Sequence, residues 1–183
     1  MQRVQLALAV FFLCHSSIAN ADEQTVAEVP PSRLDTYWIA EKSPGPAYSR
    51  LAMMTQLEGC FVAAYGIDET GNVHDARIVY QKASISKANR QAMNGNEKKA
   101  VFESQANAIL EALNAVKYQP APANAARVAV LTRTPPIIVS MLSLERPDNE
   151  AAVARARAAH ASRREVLYET CAAAQKDAFP ASP

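Results

Sequence analysis

Residues 57–81 read LEGCFVAAYGIDETGNVHDARIVYQ, and their alternation decides the fold. From Leu57 to Ile67 the pattern has period two, with Phe61, Ala63, Tyr65 and Ile67 on one face. Cys60, Val62, Ala64 and Gly66 lie on the other. Both faces are apolar, so this strand is expected to be covered on both sides. Asp68 to Asn72 reads as a turn, with Gly71 free to take a positive φ. Val73 to Gln81 then reads as a second strand, with bulk from Val73, Ala76, Ile78 and Tyr80. The two make a β-hairpin.

On the N-terminal side, Tyr48 to Thr55 has helix formers, no Gly or Pro, and apolar positions 48, 51, 52 and 54 on one face of a short helix. On the C-terminal side, 82–99 is polar and reads as an irregular excursion with some helix around Ile85 to Met93. Phe102, Ala106, Ile109, Leu113 and Val116 then form one stripe of an amphipathic helix, ended by Pro120 and Pro122. Pro135-Pro136 break the next apolar stretch, which leaves a strand at Val128 to Thr132 and a better one at Ile137 to Leu144. Ala151 to Lys176 lacks Gly and Pro and is rich in Ala, the best helix former. Val153, Ala156, His160, Leu167, Cys171 and Ala174 share one side of this last helix.

The N-terminus combines Arg3, an apolar run from Leu6 to Leu13, and Ala19-Asn20-Ala21. This reads as a secretory signal peptide over residues 1–21, cleaved after Ala21 or, second, after Ala19. The apolar run is far shorter than the roughly 20 residues a spanning helix needs. The exported chain is then periplasmic, with an extended Pro-containing lead-in at 22–46, a domain at 47–145 and the Ala-rich helix at 146–183. Arg3 is the only charged residue among 1–21, so its removal brings the 19 basic residues level with the 18 acidic ones. A neutral chain is not a typical nucleic-acid binder, and no stable membrane anchor remains after cleavage. Cys60 and Cys171 also remain. In an oxidising compartment two cysteines are most simply a disulfide, with two buried free thiols as the alternative.

Three motifs resemble those of TonB C-terminal domains. Tyr48-Ser49-Arg50-Leu51-Ala52 followed by Leu57-Glu58-Gly59 is similar to the family's Y-P-x-x-A … x-E-G opening. Asp68-Glu69-Thr70-Gly71-Asn72-Val73 resembles its D-x-x-G-x-V turn. Ala112-Leu113 through Val116-Lys117-Tyr118-Gln119-Pro120-Ala121 is similar to its A-hydrophobic-x-x-W-x-F-x-P-A helix end. Ser49 stands where the family usually has Pro, and Val116 where it usually has Trp. The resemblance implies an α+β fold, a small antiparallel three-stranded sheet with two helices on one face. The extra C-terminal helix is then expected on the other face, where Cys60, Val62 and Ala64 need a cover, and Cys60 is expected to bond Cys171.

The resemblance also implies a protein partner, an outer-membrane or periplasmic protein that adds a strand at the edge formed by Ile137, Ile138, Val139, Ser140, Met141, Leu142, Ser143 and Leu144. The expected function is an exported adaptor module. An anchored energy transducer is the alternative if the N-terminal segment is retained, and a hydrolase with an unrecognised site is the second. Catalytic chemistry is not expected. His74-Asp75 are strand neighbours and should point to opposite faces. His160 has no acidic residue three or four positions away, and Ser140 and Ser143 lack an elbow motif. No spacing supports a metal site, and no cofactor is expected.

Overall fold

The computed structural model describes residues 26–42, 48–140 and 150–178, with side chains of the last helix through Gln175. The chain is mixed α+β. The expected signal peptide at 1–21 and the partner residues Met141 to Leu144 lie outside the described residues. The central strand is β3 (Glu58–Ile67), and its hairpin partner β4 (Val73–Ser84) runs antiparallel beside it. On the other side β3 pairs with two short strands in succession, β6 (Val130–Arg133) and β7 (Ile137–Val139). A two-residue strand from the lead-in, β1 (Ala27–Glu28), runs parallel to β6. The sheet thus has five strands, not three. The same lead-in supplies the short helix α1 (Leu34–Tyr37) and β2 (Trp38–Ala40), which pairs with β5 (Tyr118–Pro120) in a second, two-stranded sheet. Trp38 is buried, and its indole Nε1 donates to the Val128 carbonyl at 3.0 Å.

The front of the sheet carries α2 (Arg50–Met54) and α4 (Gly95–Asn114), with α3 (Lys87–Ala92) between them in sequence. Ser49 caps α2 by accepting from Ala52 N at 3.0 Å, while its own N–H donates to Gln105 Oε1 at 3.0 Å. A proline at 49 would have no N–H for this bond. The α4 helix starts well before the apolar stripe, because Asn94 and Glu97 form a reciprocal capping box. Its fully buried positions are Val101, Gln105, Ile109 and Leu113, so the stripe is rotated from the expected one and contains a polar residue. Gln105 is tolerated there because its oxygen has a donor.

Two core clusters lie under these helices. One joins Trp38, Ala63, Tyr65, Ile67, Leu113, Val116 and Val130, and the other joins Leu57, Phe61, Val101, Ile109 and Val139. The strand face predicted to meet the helices is the one that does.

The hairpin turn is held by one carboxylate. Asp68 Oδ1 accepts from Thr70 N (2.9 Å), Thr70 Oγ1 (2.6 Å) and Asn72 N (2.9 Å). These donors, the Thr70 hydroxyl foremost, hold the acid at a pKa of about 2 against an ordinary 3.8. Gly71 has φ 81°, and a Cβ there would fall on the Tyr118 carbonyl. Because the folded pKa is depressed, the Asp68 contribution is present above the unfolded pKa and lost as pH falls through about 2. Asp68 is half-exposed at the turn, so solvent screening keeps the effect near about 1 kcal/mol. Asp68→Ala is therefore expected to cost about that much at pH 7. It should also flatten the stability loss between about pH 4 and 2 in acid titrations followed by Trp38 fluorescence.

Candidate functional site

The long helix α5 (Glu150–Ala178) lies on the back of the sheet, against β3 and β7. Cys60 and Cys171 form a disulfide with Cα atoms 6.5 Å apart, within the span such a bond allows. Cys60 and Val62 are fully buried beneath the helix. The expected cover is incomplete, however. Contacts of α5 run from Glu58 and Ser140 at one end to Thr134 at the other. Past Ala64 the back of the sheet carries Arg77, Arg133, His74 and Leu131, and Leu131 is 44% exposed. Among the described residues the three-layer arrangement is confined to the part of the sheet before Ala64.

Two side-chain pairings that the sequence reading does not predict are present, one of which it argues against. Between Ala64 and Gly66 the register of β4 slips by one residue, and Asp75 takes φ 51°. A bulge of this kind breaks the alternation of side chains, so His74 and Asp75 turn to the same side and meet at 2.8 Å. Both are well exposed, and the pair contributes little.

The second pairing is at the start of β3. Ser140 Oγ donates to Glu58 Oε1 at 3.0 Å and lies 3.1 Å from His160 Nε2. Arg163 Nε adds a weak ion pair to Glu58 at 3.9 Å. A serine and a histidine within reach are the first requirement of nucleophilic catalysis, so the proton inventory matters. The hydroxyl has one proton. With that proton on Glu58, the two contacts are satisfied together when His160 Nε2 donates to the serine oxygen. The carboxylate also touches the serine, where a triad needs it on the far nitrogen of the histidine. The cluster therefore holds α5 to the end of β7, and it is arranged as a clamp. No sequence signal marks it, since its members are 20 and 82 positions apart.

Tyr65 and Tyr118 share a hydrogen bond between hydroxyls at 3.0 Å. Burial, foremost, raises both phenols well above the ordinary value, so neither titrates near neutrality. They join β5 to β3. Among the described residues no group of three or more His, Cys, Asp or Glu is placed to hold a metal ion. No helix among them is long and apolar enough to cross a membrane.

The strand edges remain. The outer side of β6 is taken by β1, with Val29 N donating to the Leu131 carbonyl at 2.8 Å and Arg133 bridging to Glu28 at 3.2 Å. Among the described residues β4, β7 and the two-residue β1 have no strand on their outer side in the five-stranded sheet, and β2 and β5 each have one open side in the other. The β4 edge is long, but it is bulged opposite Val62/Ala63 and again at Asp75, and Arg77 and Lys82 stand along it. Bulges and charges of this kind guard an edge against pairing. The β7 edge is three residues long and follows Pro135-Pro136, but it has neither a bulge nor a charged side chain. Ala63 exchanges bonds with Thr134 on the β6/β7 side, with Thr134 N donating to its carbonyl and its own N–H reaching Thr134 Oγ1. By alternation Phe61 and Gly59 also turn toward β7, which directs Ile137 and Val139 to β3 and Ile138 away from it. Of the expected partner residues, Ile137 to Val139 are thus in the strand, Ile138 offers its backbone outward, and Ser140 is occupied in the clamp.

Comparison of the chain with protein-family models, with curated proteins and with solved structures finds no match.

Proposed function

We propose that this protein is an exported periplasmic adaptor with a TonB C-terminal-like arrangement, which binds an extended segment of a cell-envelope protein along the outer side of β7. The observation that carries the reading is the β7 edge, free of bulge and charge, with the Ile138 amide directed outward and helices on both faces of this part of the sheet. A partner strand would gain backbone hydrogen bonds there, and Ile137 and Val139 would supply apolar neighbours. Three further features support it. The disulfide suits an oxidising compartment. The residues that resemble the family's motifs fall in its order on α2 and β3, on the β3–β4 turn, and on the end of α4 with β5. No catalytic role is assigned to Ser140 or His160, because Ser140 donates to Glu58 and the carboxylate lies on the serine, where a triad needs it on the histidine.

The test uses a photo-crosslinking residue at Pro135, which is exposed two positions before β7. In cells, irradiation is expected to give a discrete adduct with one envelope protein. Ile138→Pro should lower its yield at least ten-fold, because it removes an amide that no β3 bond uses and fixes the strand against pairing. The variant should keep its Trp38 emission. An adduct undiminished by Ile138→Pro, or one obtained only from a crosslinker on β4, would refute the proposal.

A further inference from the structure

We infer that α5 is a cover fastened by oxidation: with Cys60 and Cys171 as thiols, the helix leaves the sheet and the back of β3 and β7 is bared, while the rest of the fold persists. Neither core cluster contains a residue of α5 among the described residues. The sheet, α2 and α4 therefore have their apolar contacts without it. Of the described side chains of this 29-residue helix only Cys171 is fully buried. Val153, Ala156, His160, Leu167 and Ala174 face inward as the periodicity predicts, yet each stays half-exposed. Among the described residues its polar attachments include His160 to Ser140, Arg163 to Glu58, and Gln175 Nε2 to the Thr134 carbonyl at 3.4 Å, all at or near the surface, beside the small apolar cover over Cys60 and Val62. Contacts of this type hold little against the freedom a released helix regains. The covalent bond thus decides where the helix sits.

The chemistry is a thiol–disulfide exchange. A thiolate of a dithiol reductant attacks one sulfur of the Cys60–Cys171 bond, and its second thiol displaces the mixed disulfide. Two electrons and two protons pass to the protein, leaving two thiols, and the reductant leaves as a disulfide. The consequence is local. Val62 and Cys60, which the oxidised protein hides, would lie open together with the half-buried Ile138 beside Cys60. Redox state would then set which surface of the sheet is presented, whatever the β7 edge binds.

The single tryptophan makes the test clean, because Trp38 reports the front core and α5 carries four arginines. Limited trypsin digestion at Arg155, Arg157, Arg163 and Arg164 is compared between oxidised protein, protein refolded in reductant, and Cys171→Ser. Cleavage within α5 is expected to be at least ten-fold faster in both thiol forms, with Trp38 emission unchanged. In oxidised protein, His160→Ala should change the rate less than two-fold. Equal cleavage rates in oxidised and thiol forms would overturn the inference. So would a red shift of Trp38 accompanying faster cleavage, since the helix would then be part of one cooperative fold.

Discussion

Cys171→Ser is expected to lower the thermal midpoint by roughly 2–4 °C relative to the oxidised protein. The bond joins residues 111 positions apart. Cross-linking a loop of about 100 residues removes denatured-state entropy worth roughly 4 to 5 kcal/mol when the folded chain holds the two ends together without it. With the helix released in the folded thiol form too, and tethered there only through the end of β7, most of that entropy is regained on both sides and about 1 kcal/mol remains. Calorimetry of wild type in reductant should reproduce the same fall. A fall of about 10 °C or more in both would show that the folded chain keeps the helix in place without the bond.

A larger effect is expected in the front core. Phe61 is fully buried on β3 and packs with Ala52, Leu57, Ile85, Val101, Ile109 and Val139. These neighbours come from α2, α4, β7 and the loops beside β3 and β4, so one ring ties together the elements that frame the β7 edge. Phe61→Ala should cost about 3–5 kcal/mol, the sum of lost transfer energy and the cavity left behind. Because Phe61 pairs with Ile137 across the strands, the variant should also loosen β7 before it unfolds globally. Urea unfolding followed by Trp38 fluorescence gives the first number, and amide exchange at Val139 gives the second. A cost under about 1 kcal/mol would mean that the site collapses to fill the cavity.

The hairpin, the short helix before it and the terminal helix were legible because each rests on local periodicity. The Cys60–Cys171 pairing was legible for a different reason: β3 is apolar on both faces, and Leu167 and Cys171 share one helix face. What escaped depends on contacts that no local pattern encodes. Ala27 and Glu28 become a strand only because β6 offers an open edge to the lead-in. Asp75 looks like an ordinary strand residue, yet its positive φ re-aims His74, and nothing in Val73 to Gln81 announces the slip. Gln105 replaces an apolar residue in the stripe of α4 because Ser49, 56 positions away, needs an acceptor. Ser140 and His160 meet because the disulfide lays α5 beside β7. Their partner Glu58 lies at the other end of the described domain in sequence.

In the proposed adaptor, β7 keeps an outward backbone ready for a partner strand. Residue-resolved amide hydrogen exchange, first on the free protein and then on the complex captured through position 135, tests it most directly. Ile137 and Val139 should be protected in both states. Ile138 should exchange close to the unprotected rate in the free protein and slow at least ten-fold in the complex, with no change along β4. Protection of Ile138 in the free protein, or protection gained along β4 while Ile138 stays fast, would contradict the account.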